Sequence, residues 1–347
     1  MSKAVALLSG GLDSTLAVLV LLRQNIEITA VTFQTYFGCD ASGVSSCGRP
    51  TYDLAAKFGF DVEMITLGES FIDIVKNPRH GHGKNMNPCI DCRILMLKEA
   101  LKLMHSTGAD FLVTGEVLGQ RPMSQRRECF PLIDRDAGVA GLVLRPLCAK
   151  LLKPTIAQER GLVDTEQLYA MNGRTRKPQM ALAKELGLTD YPAPAGGCLL
   201  TDPIYSYRLK ELLRHDPHAS VRDITLLQLG RHFRLSATCK AIVGRNQVEN
   251  EKLELLTGDG SVFFSVAGVG SPTTLLTNKD ASATPDERLI NFTAALTARY
   301  SDAKREKEVE VSYWGTLNGS ITVTPADPAV TEGYRIDSGG GKVVRSR

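Results

Sequence analysis

Two stretches of the chain hold residues whose types and spacing could do chemistry. Ser9-Gly10-Gly11-Leu12-Asp13-Ser14-Thr15 follows an apolar run over 4–8. Paired glycines let backbone N–H groups come close to an anion, because no side chain stands in the way. A helix that starts directly after them aims the positive end of its dipole at the same point. Ser9, Ser14 and Thr15 add hydroxyl groups. Asp13 is out of place beside a bare anion and in place beside a metal ion or a positioned water. A nucleotide phosphate carrying Mg²⁺ therefore accounts for the whole set. An ordinary glycine turn capped by Asp13 or Ser14 would leave the rest of the string unexplained. Gly83-Lys84 is no rival phosphate loop of the Walker type, since Pro78 and Asn85 stand where Gly and Ser or Thr are required.

The second stretch is Cys89-Ile90-Asp91-Cys92, directly after Pro88, where a helical pattern begins. Thiols at a helix N-terminus are expected to have lowered pKa values. Two sulfurs at this spacing suit one metal or cluster, yet they are only two ligands. Cys198, after Gly196-Gly197, could be the third if its loop folds over the same edge. Three thiolates can hold a [4Fe–4S] cluster with one iron open. Without a cluster, one cysteine would be a nucleophile and another would resolve a persulfide. Cys39 and Cys47 are candidates for a separate metal site, and Cys129, Cys148 and Cys239 read as core residues.

Both stretches need a frame. Residues 4–8 read as a buried strand, and Leu12, Leu16, Leu19 and Leu22 mark one face of an amphipathic helix. Residues 26–34, 62–67 and 111–114 read as further strands, and 52–58 and 90–105 as helices. That alternation predicts an α/β fold with a parallel, Rossmann-like sheet covered on both faces. Ligands of such sheets lie beyond the carboxyl ends of the strands, where Ser9, Gln34 and Thr114 fall. The polar loop 76–88, with His80 and His82, leads into Cys89 and is expected to belong to the site. Gln120, Arg121, Ser124, Gln125, Arg126 and Arg127 make a segment suited to phosphate. Arg174, Arg176 and Lys177 form a basic group suited to an RNA backbone. Beyond Tyr205 the pattern changes. Strands are expected at 224–235, 239–243, 261–266, 273–276, 309–314 and 321–323, with helices at 246–256 and 283–300. This is a smaller α+β domain. The resulting division is 1–165, a connector over 166–219 that completes the active site, and 220–347.

Composition sets the bounds. The chain has 347 residues, enough for two or three domains, and its 43% hydrophobic and 23% charged residues are ordinary for a globular protein. No apolar run reaches membrane length. The start enters the first strand at once, so no signal peptide and a cytoplasmic location are expected. In a reducing compartment eight cysteines argue for metal, cluster or thiol chemistry over structural disulfides. A net charge of +3 permits a local basic surface without requiring one.

The string Ser-Gly-Gly-x-Asp-Ser, between a buried strand and a helix, resembles the PP-loop of the ATP pyrophosphatase superfamily. Residues 1–205 resemble the branch that holds the tRNA thiouridylases and 4-thiouridine synthetases. Ser9 to Ser14, Asn87-Pro88-Cys89 to Cys92, Thr114-Gly115-Glu116, Gly173 to Lys177 and Gly196-Gly197-Cys198 carry that likeness. Residues from about 240 onward, through Gly244-Arg245-Asn246 and Pro272-Thr273-Thr274, resemble the small RNA-binding domain of NFACT proteins. The resemblance implies ATP cleavage between its α- and β-phosphates and adenylation of a substrate. It implies that Phe33, Thr114 and Gly115 flank the adenosine. It further implies sulfur carried on an open iron, as in the cluster-dependent tRNA thiolases, or on a cysteine persulfide, as in the 2-thiouridylases. The chain is expected to lack the N-terminal RNA-binding extension of 4-thiouridine synthetases, so tRNA delivery would fall to the C-terminal domain. The expected activity is ATP-dependent tRNA thiolation, with tRNA and a sulfur donor (a cysteine desulfurase, a carrier protein or sulfide) as partners. A homodimer is among the oligomeric options. Adenylation of a small molecule for amidation or thiolation, and a non-catalytic nucleotide-sensing RNA-binding protein, are the competing readings.

Overall fold

The computed structural model describes residues 2–38, 49–192, 198–280 and 284–336. The chain divides into two compact units, Met1–Cys198 and Leu199–Arg347. In the first, β1 (Lys3–Leu7), α1 (Leu12–Leu22), β2 (Glu27–Gln34), α2 (Arg49–Phe58), β3 (Asp61–Thr66), α3 (Glu69–Lys76), α4 (Cys89–Thr107) and β4 (Phe111–Thr114) follow in order. Then come α5 (Cys129–Asp136), β5 (Val143–Leu144), α6 (Ile156–Glu159) and α7 (Lys177–Glu185). The strands form one parallel sheet in the order β3-β2-β1-β4-β5. Leu7 lies opposite both Val31 and Thr114, so the carboxyl ends of β1, β2 and β4 share an edge, as the sequence predicts.

Alternate residues of β1 divide between two cores. Ala4 and Ala6 pack with α1 and with Leu182 and Ala183 of α7. Val5 and Leu7 pack with Ile90, Ile94 and Leu97 of α4 and Ile133 of α5. A strand buried on both faces must be apolar throughout, as 4–8 is. The helix α1 departs from the amphipathic pattern expected of it. Leu12 and every residue from Ser14 to Leu21 are buried, because the apolar residues of LDSTLAVLVLL run all round the helix. β5 and α5 to α7 are further elements that the sequence pattern did not separate.

The second unit holds α8 (Pro203–His215), α9 (Val221–Leu226), β6 (Arg231–Arg234), β7 (Cys239–Val243), α10 (Gln247–Leu255) and β8 (Val262–Val266). β9 (Thr274–Asn278), α11 (Glu287–Arg299), β10 (Val309–Gly315), β11 (Gly319–Val323) and α12 (Pro328–Tyr334) follow. Its six strands are antiparallel in the order β11-β10-β8-β9-β7-β6. Ile290, Ala294 and Ala298 of α11 cover one face, and Leu226 and Leu253 pack on the other. The stretch 224–235, expected as one strand, is the end of α9, a turn and β6. Ser220 and Asp223 form a capping box that starts the helix, and Gly230 in the left-handed region turns the chain. Cys129, Cys148 and Cys239 are core residues, as expected. Cys39 and Cys47 lie outside the described residues.

Candidate active site

The phosphate loop is braced from within. Gly10 has φ +72°, a conformation that favours glycine. Ser14 Oγ accepts the Ser9 N–H at 3.2 Å and donates to the Gly11 carbonyl at 2.9 Å. Thr15 Oγ1 donates to the same carbonyl at 3.1 Å. Thr32 Oγ1 donates to the Leu8 carbonyl at 2.8 Å and ties β2 to the loop. Of the three loop hydroxyls expected at the phosphate, those of Ser14 and Thr15 are therefore committed to loop shape, while Ser9 is exposed, with its Oγ 3.1 Å from Ser14 Oγ. Gly11 caps α1 without a side chain, which leaves the first-turn N–H groups of the helix open to an anion. Asp13 Oδ2 accepts from Gln120 Nε2 at 3.0 Å. Asp13 Oδ1 is buried and has no hydrogen-bond partner among the described residues. An orphaned carboxylate oxygen beside an anion-binding turn fits a Mg²⁺ ion or a water bound to it.

The end of β4 is packed against this loop. A Cβ on Gly115 would lie 2.5 Å from the Asp13 carbonyl oxygen and from the Ser14 N and Cα atoms. Only glycine admits so close an approach of two backbones. Thr114 is buried, and its hydroxyl donates to Glu116 Oε2 at 3.0 Å. Glu116 also meets Arg145 Nε at 3.1 Å and Arg93 Nε at 3.1 Å. Arg145 in turn holds Asp134 at 2.7 and 2.9 Å and lies over the Phe130 ring. Burial would raise the Glu116 carboxyl, but Arg93 and Arg145 outweigh it and hold it below the usual range. Burial would likewise lower Arg145, and Glu116 and Asp134 keep it charged. Phe33, at the end of β2, is half-buried.

The cysteines lie beyond the same network. Cys89 opens α4, with Asn87 as a side-chain hydrogen-bond partner. Arg121 and Arg93 both act on its thiol electrostatically. Gln120 is hydrogen-bonded to Asp13, while Arg121, next to it in sequence, lies within electrostatic range of Cys89. Cys92 feels both Cys89 and Cys198, so the distant cysteine does come within electrostatic reach of the pair. The expectation of lowered thiol pKa values is overturned. Burial pushes Cys89 up and Cys92 up to about 12, and it outweighs the nearby cations. All three are free thiols. Among the described residues no group of three or more His, Cys, Asp or Glu could hold a metal ion. In this arrangement the three sulfurs do not make the cage expected of a [4Fe–4S] cluster. Asp13 likewise stands as a single carboxylate, so a Mg²⁺ there would need oxygens from the nucleotide and water.

The loop before Cys89 is fixed to α4. The His80 backbone N–H donates to Asp91 Oδ2 at 2.9 Å, and His80 Nδ1 lies 2.8 Å from Asp91 Oδ1. His80 Nε2 is 3.2 Å from Asp136 Oδ2. The basic segment is anchored too. Asn172 pairs with Leu118, and the Gly173 N–H donates to the Leu118 carbonyl at 2.8 Å. Arg174 and Lys177 are exposed and Arg176 is half-buried at the start of α7. Sequence reasoning missed Arg93 and Arg145. The one signal for Arg93 was a cation directly after Cys92.

Comparison with known proteins divides the chain in the same way. Residues 1–169 match the family described as thiamine biosynthesis protein (ThiI), and residues 230–335 match the NFACT protein RNA binding domain. The tRNA-specific 2-thiouridylase MnmA of Ehrlichia canis (strain Jake) is 32% identical over 147 residues, 38% of this chain and 37% of the relative. That of Azorhizobium caulinodans is 26% identical over 247 residues, 67% of this chain and 60% of the relative. The chain spans about a third of the length of the first curated relatives it matches, 33% to 37%. A solved 4-thiouridine synthetase–RNA complex with bound ATP is 23% identical, with a TM-score of 0.36 over 65% of this chain and 52% of that one.

Proposed function

We propose that this chain, a PP-loop, thiouridylase-like protein with a C-terminal NFACT-type RNA-binding domain, is an ATP-dependent tRNA sulfurtransferase that makes thiouridine. The observation that carries the reading is the wall shared by Gln120 and Arg121. Gln120 is hydrogen-bonded to Asp13 of the phosphate loop, and Arg121, the next residue, lies within electrostatic range of Cys89. Activation and sulfur transfer can then occur on one bound base without its moving between sites.

A uracil oxygen of the tRNA attacks the α-phosphorus of ATP, and the bond to the β-phosphate breaks. The N-terminal turn of α1 and the loop N–H groups take up charge on the departing pyrophosphate. Mg²⁺ held at Asp13 Oδ1 would neutralise part of the same charge. Cys89, with Asn87 as a hydrogen-bond partner and Arg93 and Arg121 within electrostatic range, carries a persulfide from the sulfur donor. Its terminal sulfur attacks the activated carbon, and AMP leaves with the former base oxygen. Cys198 then attacks the Cys89 sulfur, releasing the thiolated base and leaving a Cys89–Cys198 disulfide for a thiol reductant to open. Cys92, one turn along α4 from Cys89, supports the other two. No step is routed through an iron–sulfur cluster. Arg174, Arg176 and Lys177 contact the tRNA backbone beside this wall, and the second unit adds affinity. The protein works in the cytoplasm, where tRNA and a persulfide donor meet.

The test is AMP formation by Asp13→Ala in the presence of tRNA. The reading expects a folded protein that makes no AMP. Wild-type AMP production by that variant would overturn it.

A further inference from the structure

The second unit holds a groove that its family description does not locate. It has a volume of ≈ 940 Å³, at the upper end for a ligand site. Three segments far apart in sequence form it. They are the turn Gly244-Arg245-Asn246-Gln247 between β7 and α10, the β8–β9 connection through Val269 and Ser271, and the end of α11 with Arg299, Tyr300 and Lys304. Arg231 of β6 completes one side.

The walls are joined by hydrogen bonds. The Gly244 N–H donates to the Thr273 carbonyl at 3.1 Å, the Asp302 N–H to the Gly270 carbonyl at 2.8 Å, and the Val266 N–H to Ser271 Oγ at 2.9 Å. Gly244 leaves room for Asn250, whose Oδ1 would be struck by a Cβ there. Arg231, Arg245, Arg299 and Lys304 line the groove against the one carboxylate of Asp302. Arg245 is tied to Glu249 and Arg231 lies 4.9 Å over the Tyr300 ring. Arg299 and Lys304 have no ion-pair partner among the described residues. Val269, 46% exposed, adds an apolar surface beside these cations.

We infer that this groove holds a single-stranded segment of the tRNA. Arg299 and Lys304 contact its phosphates, and the Arg231–Tyr300 pair with Val269 meets a base. The inference rests on the tRNA reading above and names the surface that reading leaves open. Cations without partners suit phosphate. A groove with a guanidinium on an aromatic ring suits an unpaired nucleotide better than a duplex.

The test is tRNA binding by the full chain against salt concentration, for wild type and for Arg299→Gln/Lys304→Gln. On single-strand counterion release each lost contact removes about 0.7 from the slope of log K on log salt. Two lost contacts weaken binding roughly 25-fold at 0.1 M salt. ATP affinity serves as the control for an intact first unit. A single-stranded competitor should displace tRNA more readily than a duplex. As a measurement independent of any variant, ultraviolet cross-linking of wild type to tRNA should label the peptides holding Gly244 to Gln247 or Arg299 to Lys304. Unchanged affinity and slope, or cross-links confined to other peptides, overturn the groove assignment while leaving the tRNA reading intact. Equal competition by duplex overturns the single-strand assignment. Wild type that fails to bind tRNA at all overturns the underlying reading.

Discussion

Gly115→Ala places one methyl group between two backbones. Its Cβ would sit 2.5 Å from the Asp13 carbonyl and from two backbone atoms of Ser14, none of which can turn aside. Ordinary contact begins near 3.4 Å, so the end of β4 and the phosphate loop must separate by about 1 Å. Overpacking of this kind costs about 1–3 kcal/mol. For a unit of this size that lowers the thermal midpoint by roughly 2–12 °C. The functional loss should be larger, because a displacement of about 1 Å at reacting groups costs on the order of 10²-fold in rate. The same movement also strains the Asp13–Gln120 bond. The assay is AMP release under saturating ATP and tRNA, with a melting curve on the same sample. Gly68→Ala is the control, since nothing lies within 4 Å of its Cβ. A Gly115→Ala protein with wild-type AMP release and midpoint would refute the reasoning that the β4 end and the phosphate loop act as one packed unit.

The remaining predictions concern the thiols and a buried lysine. Cys89→Ala, Cys92→Ala and Cys198→Ala should each abolish thiolated product while ATP affinity stays within about twofold, read by nucleoside analysis and equilibrium binding; a fully active Cys198→Ala enzyme would remove that residue from the site. Burial pulls the Lys240 ammonium down to about 7, from 10.5 in the open chain. Between those values the unfolded chain binds the extra proton, so wild-type stability rises with pH there. Lys240→Met should therefore melt above wild type at pH 6.5, with the gap narrowing steadily between pH 7 and 10.5. A gap independent of pH would mean that burial of charge is not its cause.

What could be read from the sequence was local. The strand 111–114 has the expected bounds, and 4–8, 26–34 and 62–67 differ by a residue, because each is a short apolar run with a turn signal at its end. The phosphate loop was legible because its residues are contiguous. Leu12, Leu16, Leu19 and Leu22 give α1 an amphipathic pattern in sequence, but Val18, Val20 and Leu21 make its other faces apolar and buried as well. The brace through Glu116, Arg93 and Arg145 was not legible, because charges far apart in sequence pair only once the sheet edge brings them together. The thiol pKa values went wrong for a related reason. Helix position argues for ionisation, but burial, which no spacing reveals, outweighs it at Cys89 and Cys92.

The most direct measurement incubates the purified chain with unmodified tRNA, ATP, Mg²⁺ and a persulfide donor. It then counts AMP, pyrophosphate and thiolated nucleosides in the same reaction by mass spectrometry. Thiouridine should form in step with AMP, both dependent on tRNA and both lost in Asp13→Ala. Steady AMP formation without tRNA, or full AMP formation on tRNA with no sulfur in any base, would contradict this.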